Sequence, residues 1–278
     1  MKTILVATDL SARSDRAVLR AAHLAETVGA SLRILHVIDD EVPAAFLQTR
    51  SEAAEQVLAA MVADHEGLSA LAPTIHVEVG HLDKLLPKIV AQQDVDLVVV
   101  GSHRNRGFGE LLGAPTLSRL LRGLDVPVLV SVARPEVAYE AVSVGWDDSD
   151  GAEAVAQIAR RMAPTAEITL VHAWQEVLAS APYAFETGGL IPKETQQRLQ
   201  SDVQRAAVRL AGEGLPFAAL VAMGPPGHVL RTRAEGGQAD LIAVGRHARS
   251  GLARLILGAT AEDLALSAPC DVLIASPS

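Results

Sequence analysis

Two aspartates and two glycine-rich segments are the residues of this chain whose types and spacing could do chemistry. Asp9 follows the apolar run Thr3 to Thr8, and Asp147 follows Ala141 to Trp146. Downstream of each, another short apolar run ends on glycine, a polar and basic segment follows, and a second glycine precedes a hydroxyl residue. These stretches are Gly101 to Gly113 with Thr116, and Gly245 to Gly258 with Thr260. Each reads as a strand, a loop and a helix start, which suits an anion. The first N–H groups of a helix lack partners within it, the helix dipole favours negative charge there, and glycine lets the main chain approach a phosphate closely.

Other chemistry has less support. His36 and His172 occupy matching strand ends, and His103 and His247 matching loop positions, but no cysteine or clustered carboxylate completes a metal-ligand set around them. No Gly-x-Ser-x-Gly elbow, His-Glu-x-x-His or Walker lysine is present, so no general base or nucleophile is identified. At most slow hydrolysis of a bound nucleotide is expected.

The elements that must position these residues alternate between strand and helix. Thr3 to Thr8 reads as a strand buried on both faces, and Ser14 to Val28 as a helix with apolar residues at Ala17, Val18, Ala21, Leu24, Ala25 and Val28, stopped by Gly29. A strand over 31–37, a loop over 39–46 and one long helix over 51–71 follow. Then come a strand at 74–79, a helix at 82–92, a strand at 96–100, a helix at 116–122 and a strand at 126–132. The second half repeats the order: strand 141–146, helix 151–162, strand 167–172, helix 193–211, strand 217–222, helix 228–235, strand 241–244, helix 260–267 and strand 271–275. Such alternation predicts an α/β fold of parallel sheets covered on both faces, joined by right-handed crossovers. The repeat predicts two tandem units, at 1–135 and 138–278, with a short linker at 133–136.

The glycine segments resemble those of the universal stress protein (UspA) family, in which ATP-binding members show glycine, two residues, glycine, nine residues, glycine, then serine or threonine. The second segment keeps this spacing, with Ala248 for the middle glycine, Ala259 for the hydroxyl residue and Thr260 one place later. The first has Arg104 for the middle glycine, eight residues before Gly113, and Ala114 for the hydroxyl residue. The resemblance covers essentially the whole chain. It implies a five-stranded parallel sheet of order 3-2-1-4-5 in each half, with helices on both faces. It also implies a crevice at the carboxyl ends of the first and fourth strands, where such folds bind ligands.

In the second crevice the resemblance implies contacts from Asp147, Ala173, Val244, Gly245, His247, Ala248, Gly258, Ala259 and Thr260, with Trp146 either stacking on a base or filling its place. In the first it implies Asp9, Val37, Gly101 and Gly113, at a site degraded by the loop changes. The aspartates have a second reading, as caps of the helices that follow. Arg246, Arg249 and Arg254 either supply positive charge near a phosphate or form a solvated loop. The ligand expected is ATP or AMP, in the second half by preference, with no metal beyond the Mg²⁺ that accompanies a nucleotide. A stress-response regulator or adaptor is the implied role. The alternative is a protein-interaction module whose crevices are both structural, and further from the pattern an ATP-hydrolysing enzyme. The family's terminal strands pair into dimers, which a tandem chain can satisfy internally as a pseudo-dimer, leaving room for a homodimer and for protein partners still to be identified.

Composition narrows the field. The chain has 278 residues, 49% of them hydrophobic, enough for two cores. Aromatics are 3% and the net charge is −9, which argues against nucleic acid and against an anionic membrane surface. Cys270 is the only cysteine, so no intramolecular disulfide forms; its apolar surroundings predict a buried thiol. Asp9 arrives too early for a signal-peptide core, and no apolar run nears the ~18–20 residues of a membrane span. A soluble, cytoplasmic protein is expected.

Overall fold

The computed structural model describes residues 1–102, 114–132, 137–174, 193–212, 214–246 and 257–275. The first half runs β1 (Thr3–Thr8), α1 (Ala12–Val28), β2 (Ser31–Ile38), α2 (Ala44–Asp64), α3 (Glu66–Leu71), β3 (Thr74–Val79), α4 (Leu82–Gln92), β4 (Leu97–Gly101), α5 (Ala114–Gly123) and β5 (Val128–Ser131). The second runs β6 (Ala141–Gly145), α6 (Asp150–Met162), β7 (Glu167–Trp174), α7 (Lys193–Ala211), β8 (Phe217–Met223), α8 (Pro226–Glu235), β9 (Leu241–Gly245), α9 (Ala259–Ser267) and β10 (Asp271–Ala275).

The ten strands among the described residues join in one sheet, in the order β3-β2-β1-β4-β5-β10-β9-β6-β7-β8. Within each half every pairing is parallel and the order is the expected 3-2-1-4-5. The halves meet where β5 pairs antiparallel with β10, Leu129 opposite Leu273. Continuous apolar runs explain the central strands, which are covered by helices on both faces. Successive residues of β1 divide between the two faces: Ile4 and Val6 belong to one buried cluster, Leu5 and Ala7 to the other, and each cluster extends through both halves.

Two expectations change at the helices. The single helix expected over 51–71 is two, because His65 is extended (φ −115, ψ 110) between α2 and α3. The break lets α3 turn Leu68 into the core. Helix α2 also begins at Ala44, within the stretch expected to be loop, starting directly after Pro43. Helices α1 and α6 begin alike, capped by Ser11 and Ser149.

Where β5 meets β10, three buried polar side chains interlock. Arg20 of α1 pairs its Nε with Asp271 at 3.0 Å and donates from Nη1 to the Val137 carbonyl at 2.6 Å. The Tyr139 hydroxyl donates to the same oxygen that Arg20 meets, Asp271 Oδ2 (2.7 Å), the Val132 N–H donates to Oδ1 (2.6 Å), and the Arg20 guanidinium lies 4.3 Å from the Tyr139 ring centroid. Removing one partner of a buried pair strands the other charge. Asp271→Ala is therefore expected to lower the unfolding free energy by about 3–5 kcal/mol in urea titrations, and a loss under about 1 kcal/mol would show that the pair behaves as a surface one.

Cys270, at the start of β10, is buried as expected. Burial first, then the charges of Asp271 and Asp240, push its thiol up to about 12. A raised folded-state value contributes stability below the unfolded pKa, near 9, and that stability is lost as pH rises toward 12. Cys270→Ala should accordingly flatten the fall in stability over that window, and the wild-type thiol should react with a disulfide reagent at pH 8 only as fast as the protein unfolds.

Candidate functional site

Each half places its aspartate by the same turn. Strand β1 ends at Thr8, Asp9 follows, and Leu10 takes a left-handed conformation (φ 60) before the Ser11 cap; in the second half Asp148 does the same (φ 60) before Ser149. A non-glycine residue there costs roughly 1–2 kcal/mol, so the turn is held by its surroundings. Part of the hold is the aspartate: Asp9 Oδ1 accepts the Ser11 N–H at 3.0 Å, and Asp147 Oδ1 accepts both the N–H (3.2 Å) and the hydroxyl of Ser149. Helix capping itself falls to the serines, which accept N–H groups from Ser14 and Ala152. The aspartates brace the turn ahead of the cap.

The carboxyl of Asp9 is pulled two ways. Burial raises its pKa, but hydrogen bonds from the hydroxyls of Ser11 and Ser14 and from the backbone of Ser11 and Asp9 hold it below the ordinary carboxylate range. Across the turn, His36 and His172 sit alike, with Nδ1 at 2.9 Å from the Thr8 carbonyl and 3.0 Å from the Trp146 carbonyl. A carbonyl only accepts, so Nδ1 is the donor in both contacts.

The second crevice is a cavity of about 550 Å³. Of the residues expected there, Trp146, Asp147, Ala173, Val244, Gly245, Gly258, Ala259 and Thr260 all line it. His247 and Ala248 lie outside the described residues. Parallel pairing of β6 with β9, Val144 opposite Ala243, sets the Asp147 turn beside Gly245. The Gly258 N–H donates to the Arg246 carbonyl at 2.8 Å, so the chain leaving β9 returns to the same point before α9 begins. Gly258 is the N-cap of α9 and offers no side chain to it, which leaves the first N–H groups of α9, in residues that line the cavity, without a side-chain cap. Gly145 forms part of the wall because a Cβ there would meet Val244 Cγ1 at 3.1 Å and Leu230 Cδ1 at 3.3 Å.

Sequence reasoning missed Trp174, Pro226 and Leu230, which complete the apolar wall. Strand β7 runs two residues beyond its expected end, so Trp174 falls on the same side of the strand as His172; that alternation was the available signal. The reading of the arginines as a solvated loop fails for Arg246, which is buried, while Arg249 and Arg254 lie outside the described residues.

The first crevice is built differently. Asp9 and Val37 line a cavity of about 590 Å³ with His36, Asp39 and the α2 residues Arg50, Ala53, Ala54 and Val57. Gly101 is buried at the end of β4 and is not among the described walls of that cavity; Gly113 lies outside the described residues, as do Arg104 and His103. Near its rim, Asp39, Asp40 and His81 bring ligand-type atoms within 4.8 Å of one another, with His81 Nε2 3.3 Å from Asp40 Oδ1. Asp40 is more than half exposed, and this group is remote in sequence from either glycine segment.

Among the described residues, no helix is long and apolar enough to cross a membrane. The model of the universal stress protein family matches residues 1–131 and again 138–276. A universal stress protein of Mycobacterium tuberculosis strain H37Rv is 30% identical over 297 residues, covering 99% of this chain and 96% of its own, and one of Mycolicibacterium smegmatis is 29% identical over 301 residues, covering 99% and 97%. The crystal structure of a universal stress protein from Archaeoglobus fulgidus superposes with a TM-score of 0.74 at 20% identity, over 99% of this chain and 98% of that one, which speaks to the fold. With a family match in each half, on a sheet whose halves share one strand order, the chain belongs to the universal stress protein family as a tandem member.

Proposed function

We propose that the second unit of the chain, residues 138–278, holds an adenine nucleotide, ATP or AMP, in the Asp147–Gly258 crevice. The protein then acts in the cytoplasm as a nucleotide-responsive adaptor of the stress response, recognised by partner proteins, rather than as an enzyme. The observation that carries this reading is the meeting, in one cavity, of the uncapped start of α9 and the Asp147 turn. The helix start favours a phosphate. At the other side, a carboxylate and two indole rings offer what a nucleoside needs, hydrogen-bond acceptors and flat apolar surface. A volume near 550 Å³ lies within the range of small-molecule sites.

The residues fit a nucleotide-borne Mg²⁺ better than a resident one. Asp147 is the one carboxylate among the described walls, and the Ser149 and Thr260 hydroxyls are the only other oxygen-bearing side chains there. Magnesium would arrive on the phosphates, with Thr260 as the hydroxyl nearest the start of α9. The first unit, residues 1–135, is the structural partner in this reading, since its described cavity walls draw on β1, β2 and α2 and on nothing from β4 or α5.

Both tryptophans of the chain, Trp146 and Trp174, line the second cavity, so intrinsic fluorescence reports on this crevice alone. Titration with ATP or AMP is expected to change that fluorescence and to saturate at one nucleotide per chain. Ala259→Asp sets a negative charge at an exposed first-turn position of α9: it suits the helix dipole, so the melting temperature should not fall, yet it repels a phosphate. A loss of roughly 30- to 100-fold in affinity corresponds to about 2–3 kcal/mol. No fluorescence change and no heat at millimolar ATP would end the nucleotide reading in favour of a pure interaction module, and an unchanged affinity in Ala259→Asp would move the phosphates elsewhere.

A further inference from the structure

The ten-stranded sheet ends in two edge strands, β3 and β8. An edge carries a row of outward N–H and C=O groups, which a fold either covers or offers to another chain. In a parallel ladder a residue directs both groups to the same side, so alternate residues face outward. At β8 the Gly224 N–H donates to the Trp174 carbonyl of β7 at 3.0 Å, which turns Ala219 and Val221 outward. Gln200 of α7 covers them: its Nε2 donates to the Ala219 carbonyl at 2.9 Å, and its Oε1 accepts the Val221 N–H at 3.2 Å. A side-chain amide stands there in place of a further strand.

Strand β3 has no such cover. The Gly80 N–H donates to the Ile38 carbonyl of β2 at 2.8 Å, so the outward residues are Ile75, Val77 and Val79. Among the described residues no side chain hydrogen-bonds to their main chain. The strand also lacks the proline or lysine that blunts an edge, and Val79 is 40% exposed.

The sequence Thr-Ile-His-Val-Glu-Val is complementary to itself. Laid antiparallel about Val77, two copies set Val77 against Val77 and Ile75 against Val79. All of these are outward residues, so each pair exchanges both of its hydrogen bonds. They share the face on which Ile75 and Val77 already pack against the apolar cluster, which would continue from one copy to the other. On the opposite face the closely spaced pairs without hydrogen bonds set His76 against Glu78 twice, a donor against a carboxylate. A slip of one residue would put outward groups opposite inward ones, so one register is selected.

We infer that the β3 edge is a homodimer interface, where two chains pair β3 with β3 about a two-fold axis through Val77. The occupant is a second copy because the charge pattern and the outward groups match in that single arrangement. The inference is independent of what the second crevice holds.

The test is sedimentation equilibrium on the full chain. A six-residue edge buries less than a standard interface, so wild type is expected to dimerise with a Kd of roughly 1–100 μM. Val77→Pro removes an outward N–H that β2 does not use, a change an edge strand accepts, and should weaken the dimer by at least about 10-fold with the circular dichroism spectrum unchanged. Glu78→Lys, which keeps the backbone intact should the proline variant fail to fold, is expected to weaken it about 3- to 10-fold, and the exchange His76→Glu with Glu78→Lys to restore it. Under mild oxidation Val77→Cys should give a disulfide-linked dimer, since the paired Cα atoms would stand about 5.5 Å apart. Ile75→Cys, set opposite Val79, should not, and the buried Cys270 contributes no cross-link. A wild type still monomeric at about 1 mM overturns the inference. So does a dimer that a folded Val77→Pro or Glu78→Lys leaves intact, or cross-linking of Ile75→Cys as fast as Val77→Cys.

Discussion

The antiparallel pairing of β5 with β10 is the constraint on which the molecule depends. Either strand alone would be an unpaired sheet edge, a template for association with another chain. Paired, they fuse two five-stranded sheets into one, and the apolar clusters on both faces become continuous across the join. The Asp271 carboxylate fixes the register at one end of the seam, gathering the Val132 N–H, the Tyr139 hydroxyl and the Arg20 guanidinium from three separate segments. A hydrophobic replacement could match this network in stability but not in specificity, because apolar strands such as Val-Leu-Val and Val-Leu-Ile can slip in register where an ion pair cannot.

The seam also decides how the crevices relate. Strands are parallel within each half and antiparallel across the join, so the carboxyl ends of β1 and β4 lie at the opposite end of the sheet from those of β6 and β9. One ligand cannot span both sites. The halves are linked by the joined strands and by helices across the join, where Arg122 of α5 meets Glu262 of α9 at 3.0 Å, and Arg246 bridges the same join: its carbonyl holds the start of α9 through Gly258, while its Nη2 reaches Val126 of the first half. The halves have diverged around a shared turn. Both keep the aspartate, the left-handed residue and the serine cap, but Thr8 and Ala7 of one stand against Trp146 and Gly145 of the other. Ser14, whose hydroxyl helps hold Asp9, is Ala152 in the second half, where the Ser149 hydroxyl and N–H brace Asp147.

What the sequence made legible was what local periodicity controls. Strands buried on both faces read as unbroken apolar runs, and helices read at a spacing of three and four; periodicity does not give strand order, so the meeting of Asp147 with Gly245 and Gly258 at one crevice was implied by the resemblance to the universal stress protein family instead. The features that escaped depend on contacts distant along the chain. Gly67 is the one mark near His65, and a weak one, since an isolated glycine inside a helical pattern is tolerated; the break serves Leu68 in its packing beneath α1. Leu10 has no propensity for φ 60; the strand before it and the cap after it impose that conformation. Arg246 looks like one of several basic loop residues, and only the strand 120 positions earlier, with Val126 at its approach, makes it a buried cation.

Charge on the larger scale bears on how the second crevice could hold an anion. A chain of net charge −9 repels anions at long range, so no favourable field guides a phosphate to this surface. Attraction has to be generated inside the crevice, where the dielectric is low and screening by salt is weak. The start of a helix supplies roughly half a charge and acts over about one turn. The Asp147 carboxylate works against any anion held close to it, so in the nucleotide reading the phosphates belong at the α9 end of the cavity.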